Sequence, residues 1–176
     1  GNNYFDNKFE INGKVYPSLK SILEKINFNF ESNLFYNSFH GDLQFDNIIY
    51  NSTLEKFTYI DWRESFAGNT EGGDLYYDLS KLYGGCILPY NIIKDEESIT
   101  VTEGVSTVEY SHNTSHQLTE FIKLYENWLI DHNYDLNKVK LITGLIYLNM
   151  SPLHSNKFNK MLWFKSIEML YESVNK

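Results

Sequence analysis

The sequence predicts an α+β fold, mostly helical, in one domain spanning residues 1–176. Three observations carry this expectation. Apolar residues alternate around short polar turns at three places, Phe9–Tyr16, Asn47–Asp61 and Ser98–Tyr110, and each reads as a β-hairpin. Apolar residues at three- and four-residue spacing mark helices near residues 18–26, 74–85, 114–129, 135–150 and 156–174. The chain of 176 residues is 42% hydrophobic and 16% aromatic, enough to bury one core and too apolar for a disordered chain.

Taken in order, the first hairpin turns at Asn12-Gly13, a pair suited to a tight two-residue turn. Pro17-Ser18 opens a short helix to about Ile26, with Leu19, Ile22, Leu23 and Ile26 on one face. Leu34-Phe35-Tyr36 is an apolar piece of undefined type leading into His40-Gly41-Asp42. The second hairpin has apolar arms (Ile48, Ile49, Tyr50; Phe57, Tyr59, Ile60) and a polar turn from Asn51 to Lys56. Centred on Leu54, it sets Asn47 opposite Asp61.

A loop with Gly68, Gly72 and Gly73 follows, and Asp74 then caps a helix that Gly84-Gly85 is expected to stop. Leu75, Leu79 and Leu82 form its stripe, and Asp78 falls on that stripe at i+3 from Leu75. A carboxylate there is costly unless several donors meet it, so a partner is implied. The third hairpin turns at Glu103-Gly104. Thr114 with Gln117 makes a capping box for the next helix, with Leu118, Phe121, Ile122, Tyr125, Trp128 and Leu129 on one face. Asp135 caps a helix whose apolar residues wrap most of its circumference, which marks it as the central helix. Ser151-Pro152 ends it, and Asn156 to Val174 forms the last. His112 and His116, at i, i+4, straddle a helix start without a third ligand nearby; His132 and His154 sit at helix ends, where they cap.

The chemistry gathers in His40-Gly41-Asp42-Leu43-Gln44-Phe45-Asp46-Asn47 and in Tyr59-Ile60-Asp61-Trp62. A carboxylate on a tight loop, a carboxamide five residues on, and a second carboxylate at the end of the next strand converge at the hairpin's open end. Each alone makes a turn more often than a ligand site. Together they meet what phosphoryl transfer needs, oxygen ligands for Mg²⁺ on nucleotide phosphates and a separate carboxylate for the attacking hydroxyl.

The pattern H-x-D-x-x-x-x-N, an apolar strand, a turn and I-D-W resembles the catalytic segments of the protein-kinase-like fold. With Gly41 after His40 it is most similar to the aminoglycoside phosphotransferase and choline kinase families, in their C-terminal lobe. The resemblance implies Asp42 as catalytic base, Asn47 and Asp61 as Mg²⁺ ligands that hold ATP, and His40 as the residue that orders the loop. Asp74-Leu75-Tyr76-Tyr77-Asp78-Leu79-Ser80 resembles the families' G-D-x-x-Y-D-[IL]-[AS] run, which implies that Asp78 lies beneath the loop and accepts its backbone N–H groups. Residues His40 to Gly85 match by position and the helical tail in kind only.

Only 39 residues precede His40, with no Gly-rich loop. A nucleotide lobe of about 80 to 100 residues is expected upstream in such an enzyme. The chain is therefore expected to be an isolated C-terminal lobe, inactive without its N-terminal partner lobe. Its acceptor is expected to be a small-molecule hydroxyl, on an amino alcohol, a sugar or an aminoglycoside-like polyol. Glu64, Glu71 and Asp74 follow Asp61 closely and with Asp42 suggest an acidic mouth for a cationic acceptor. The alternative function is a non-catalytic kinase-like scaffold; a protein kinase fits less well, because Gly41 stands where Arg is usual.

Net charge of −8, with Arg63 the single arginine among fifteen basic residues, argues against nucleic acid and anionic membranes. The longest nearly apolar run, Leu141 to Met150, is too short to span a bilayer. A lone Cys86 and no apolar leader point to a cytoplasmic protein.

Overall fold

The computed structural model describes residues 4–29, 35–89 and 96–175. The architecture is α+β, with hairpins against a helical body. Strands β1 (Phe9–Ile11) and β2 (Lys14–Tyr16) pair antiparallel, Phe9 opposite Tyr16 and Ile11 opposite Lys14. Their turn places Asn12 at φ 49° and Gly13 at φ 78°, the left-handed pair that a two-residue turn of this hand requires. Helix α1 (Leu19–Leu23) follows, capped by Ser18, whose Oγ accepts from Ser21 N–H. Leu34 lies outside the described residues; Phe35–Tyr36 forms strand β3.

Strands β4 (Ile48–Asn51) and β5 (Lys56–Tyr59) form the second hairpin, and Gly73–Asp74 forms β6, paired antiparallel with β3. The β4–β5 register is Ile48 to Tyr59 and Asn51 to Lys56. Asn47 therefore lies opposite Ile60, one residue short of the expected Asp61. A four-residue turn, with Glu55 at φ 49°, absorbs the difference.

Helix α2 (Leu75–Ile87) starts at the expected cap, Asp74, whose carboxylate accepts from Tyr76 N–H at 2.8 Å. It does not stop at Gly84-Gly85. Gly84 instead lets a neighbouring helix approach: a Cβ there would meet Tyr147 Cε1 at 3.2 Å and Thr143 Cγ2 at 3.3 Å. The Tyr147 hydroxyl donates to the Gly84 carbonyl at 2.7 Å. Close packing, not termination, accounts for the glycine.

Strands β7 (Ile99–Glu103) and β8 (Thr107–His112) form the third hairpin. β8 also pairs in parallel with β1, giving a four-stranded sheet in the order β2-β1-β8-β7. Helix α3 (His116–Asp131) is capped by Ser115 rather than Thr114, the Ser115 Oγ accepting from Leu118 N–H. Helix α4 (Leu136–Met150) is capped by Asp135 as expected, and α5 (Asn156–Val174) follows a short 3-10 turn at Ser151–Leu153.

The core is organised around α5. Phe158, Met161, Leu162 and Met169 share one cluster with buried residues of α2, α3 and α4, while Phe164, Ile167 and Leu170 share the other with the N-terminal hairpin and α1. The sequence points to α4 as the central helix. In the structure α4 lies between α2 and α5 and packs on both, with Val139, Thr143, Gly144, Ile146 and Tyr147 buried, so it shares the centre with α5 while Leu141, Ile142, Leu145 and Leu148 are half-buried. Among the described residues, no helix is long and apolar enough to cross a membrane.

Candidate active site

The site is built on the loop from Phe39 to Asn47. Gly41 has φ 81°, and a Cβ on it would lie 2.6 Å from the Arg63 side chain, so only glycine lets the loop turn and the Arg63 segment close on it. Beneath the loop lies Asp78 of α2, buried, with Oδ2 accepting from His40 N–H at 2.7 Å and Oδ1 from Gly41 N–H at 2.8 Å. Burial pushes this carboxyl above the usual carboxylate range, and the two N–H bonds pull the other way. The donors implied for a carboxylate on the apolar stripe are thus two consecutive loop amides.

His40 is buried and works inward on the loop. Its Nδ1 accepts from Asp42 N–H at 3.2 Å, which assigns the proton of the neutral ring to Nε2. The ring lies 4.8 Å from that of Trp62. These contacts order the loop and leave Nδ1 engaged.

Asp42 is 8% exposed and faces two cations. Its Oδ1 meets Lys81 Nζ at 2.6 Å, an ion pair without good hydrogen-bond angles, and its Oδ2 accepts from Arg63 Nη2 at 3.4 Å. Lys81 is itself largely buried, whereas the Arg63 side chain is 63% exposed. The Lys81 pair is therefore the less screened of the two. Sequence reasoning did not single out Lys81, although a signal existed: it lies at i+3 from Asp78, on the same helical face that holds the loop.

Asn47 is buried, and its Nδ2 donates to the Asp42 carbonyl at 2.9 Å, leaving its side-chain oxygen for another partner. Ile60 N–H donates to the Asn47 carbonyl at 3.0 Å and Arg63 N–H to the His40 carbonyl at 2.8 Å. These two bonds bracket Asp61 and bring its segment to the loop despite the one-residue register difference. Asp61 has φ 60°, a left-handed conformation uncommon for a residue with a Cβ. Its exposed carboxylate makes no hydrogen bond or ion pair among the described residues.

Beside Asp42 opens a cavity of about 560 Å³. Asp42, Gln44, Arg63, Asp74 and Lys81 line it, and α4 contributes Ile142, Leu145, Ile146, Asn149 and Met150. Of the carboxylates expected at an acidic mouth, Asp74 lines this cavity with Asp42. Glu64 and Glu71 do not; both are exposed in the loop outside it. Arg63 and Lys81 balance the two carboxylates that remain. His154, read from sequence as a cap, also lines the cavity, and burial lowers its affinity for a proton below that of an ordinary histidine. No family model, curated protein or solved structure matches the chain.

Proposed function

We propose that this chain is the catalytic lobe of a Mg²⁺- and ATP-dependent phosphotransferase of the protein-kinase-like fold, which transfers the γ-phosphate to a hydroxyl of a small molecule. The observation that carries the reading is the set of three hydrogen bonds that draws together the segments of Asp42, Asn47 and Asp61: Asn47 Nδ2 to the Asp42 carbonyl, and the flanking Ile60 and Arg63 N–H groups to the Asn47 and His40 carbonyls. Turn-forming residues have no need of those bonds.

In this reading Asp42 is the base. The acceptor oxygen attacks the γ-phosphorus, the bond from that phosphorus to the β–γ bridging oxygen breaks, and ADP leaves with the bonding pair. The hydroxyl proton passes to the Asp42 carboxylate. Lys81 and Arg63 orient that carboxylate. The remaining oxygen of Asn47 and the unpaired carboxylate of Asp61 are hard donors of the kind Mg²⁺ takes. Bound there, the ion would neutralise charge on the nucleotide phosphates.

A second lobe covering the nucleotide belongs to the proposal. Ile49, Tyr50, Phe57 and Tyr59 stand exposed on the β4–β5 hairpin and offer it an apolar surface. ATP as donor and the free thiol of Cys86 fit a cytoplasmic protein.

Kinetics of the protein with its nucleotide lobe test the assignment. Asp42→Asn is expected to cut turnover by at least about a hundredfold with little change in nucleotide affinity. Asp61→Ala is expected to weaken Mg²⁺-ATP binding instead. Exchanged phenotypes would overturn the roles.

A further inference from the structure

The all-round apolar pattern of α4 has a second explanation besides core burial. Ile142, Leu145, Ile146 and Met150 line the 560 Å³ cavity, joined by Leu153 of the 3-10 turn, which is 75% exposed. Phe66 and Tyr77 line it as well. Burial pushes the Tyr77 phenol above its ordinary range, with the Asp42 carboxylate adding to the effect, so it stays a neutral donor. Asn149 and His154 are the polar positions on the α4 side. A cavity this large accommodates a molecule of tens of atoms, and a mainly apolar lining with a few polar groups is the usual form of a small-molecule site.

Charge narrows the choice. Asp42 and Asp74 are matched by Lys81 and Arg63, both on the same lining, so the cavity has no net negative field to draw in a polycation. A cationic group beside Asp42 would also have to displace or sit against Lys81, whose Nζ is 2.6 Å from the carboxylate. Like charges at that range in a half-dry site repel strongly.

We infer that the acceptor is an alcohol with an apolar body and no positive charge, its hydroxyl at Asp42 and its body against the α4 wall between Ile142 and Leu153. The inference rests on the phosphotransfer reading for the role of the hydroxyl, and on the cavity alone for the rest. It reverses the expectation of an amino alcohol or aminoglycoside.

Four probes separate the possibilities on the 176-residue chain: hexyl β-D-glucoside, glucose, choline and kanamycin, titrated by calorimetry and by amide NMR. Hexyl glucoside is expected to bind at least tenfold more tightly than glucose and to shift amides from Ile142 to Leu153, with no saturable binding of choline or kanamycin. Leu153→Asp, at an exposed position that leaves the core intact, is expected to weaken hexyl glucoside at least fivefold. Tighter binding of kanamycin or choline, no binding of any probe, or an unaffected Leu153→Asp variant would each overturn the inference. Phosphate transfer by the protein with its nucleotide lobe distinguishes the two readings. Transfer to kanamycin but not to hexyl glucoside would remove the acceptor class and keep the phosphotransferase, whereas cavity binding without transfer to any alcohol would remove the phosphotransferase and the acceptor role, leaving only a cavity that takes a neutral ligand with an apolar body.

Discussion

Asp78 and Lys81 stand three residues apart on one face of α2, and they hold the same loop in different ways. Asp78 fixes backbone, accepting from His40 and Gly41 N–H groups that have no water to turn to. Asp78→Ala is expected to leave both donors unpaired and to lower stability by about 1–3 kcal/mol in denaturant melts. Asp78→Asn is expected to lose less, since one acceptor oxygen remains. Unchanged melting of Asp78→Ala would mean that the loop is held by something else.

Lys81 holds a side chain, the Asp42 carboxylate. Lys81→Met keeps much of the stem's packing and removes the charge, leaving Asp42 with the longer, more exposed Arg63 contact. Breaking a fully buried pair costs about 3–5 kcal/mol, and the surviving Arg63 contact reduces that here. Turnover of the protein with its nucleotide lobe is expected to fall at least tenfold, while the KM for nucleotide stays within about threefold, as befits a positioning residue for the base. A change confined to the KM for nucleotide would contradict that role. Asp78 was legible in the sequence because a carboxylate on an apolar stripe demands donors. Lys81 was only weakly so: its i+3 spacing from Asp78 puts it on the loop-holding face, but a lysine there is equally compatible with an ordinary solvated helix face until the loop is seen lying over it.

At the scale of elements, helix caps and turn residues carried most of what the sequence could say. Asn12-Gly13, Ser18, Asp74 and Asp135 act as read, each through a local bond or dihedral that involves only near neighbours. Reading failed where a residue's job is set by a distant element. Gly84 looked like a stop signal, yet its role is the α2–α4 approach, which depends on Thr143 and Tyr147 some sixty positions away. Two substitutions separate these meanings. Gly84→Ala is expected to stay within about 1 kcal/mol of the parent, because the helix propensity gained offsets a tight but adjustable contact. Gly84→Val adds branches against Thr143 and Tyr147 and is expected to cost about 1–3 kcal/mol by thermal or urea melts. If valine were tolerated as well as alanine, the helices would not be in close contact there. The register of β4 and β5 is a local miss instead: a symmetric count about Leu54 is off by one, because the four-residue turn with its left-handed Glu55 closes the hairpin off-centre.

For the whole molecule, the core and the site have different dependencies. Both apolar clusters close within the described residues, with α5 contributing to each, so folding draws on the chain's own side chains. Composition and periodicity carried the fold class for that reason. The parallel pairing of β1 with β8 depends on contact between distant segments, which no local pattern specifies. The proposed catalytic face is less self-sufficient. Asp61 and the hairpin side chains Ile49, Tyr50, Phe57 and Trp62 are exposed, so a triphosphate placed there would keep water on one side. Charge interactions in such a half-solvated position are weak, since the effective dielectric stays near that of water. Phosphoryl transfer depends on positioning and on charge stabilisation in a dry site, and an open wall supplies little of either. The 176-residue chain is therefore expected to melt cooperatively yet to bind Mg²⁺-ATP weakly or not at all by calorimetry, whereas the protein carrying the nucleotide lobe binds measurably. Micromolar binding of Mg²⁺-ATP by the chain alone, with phosphate transfer to an alcohol, would show that this face needs no second lobe to exclude water from the nucleotide.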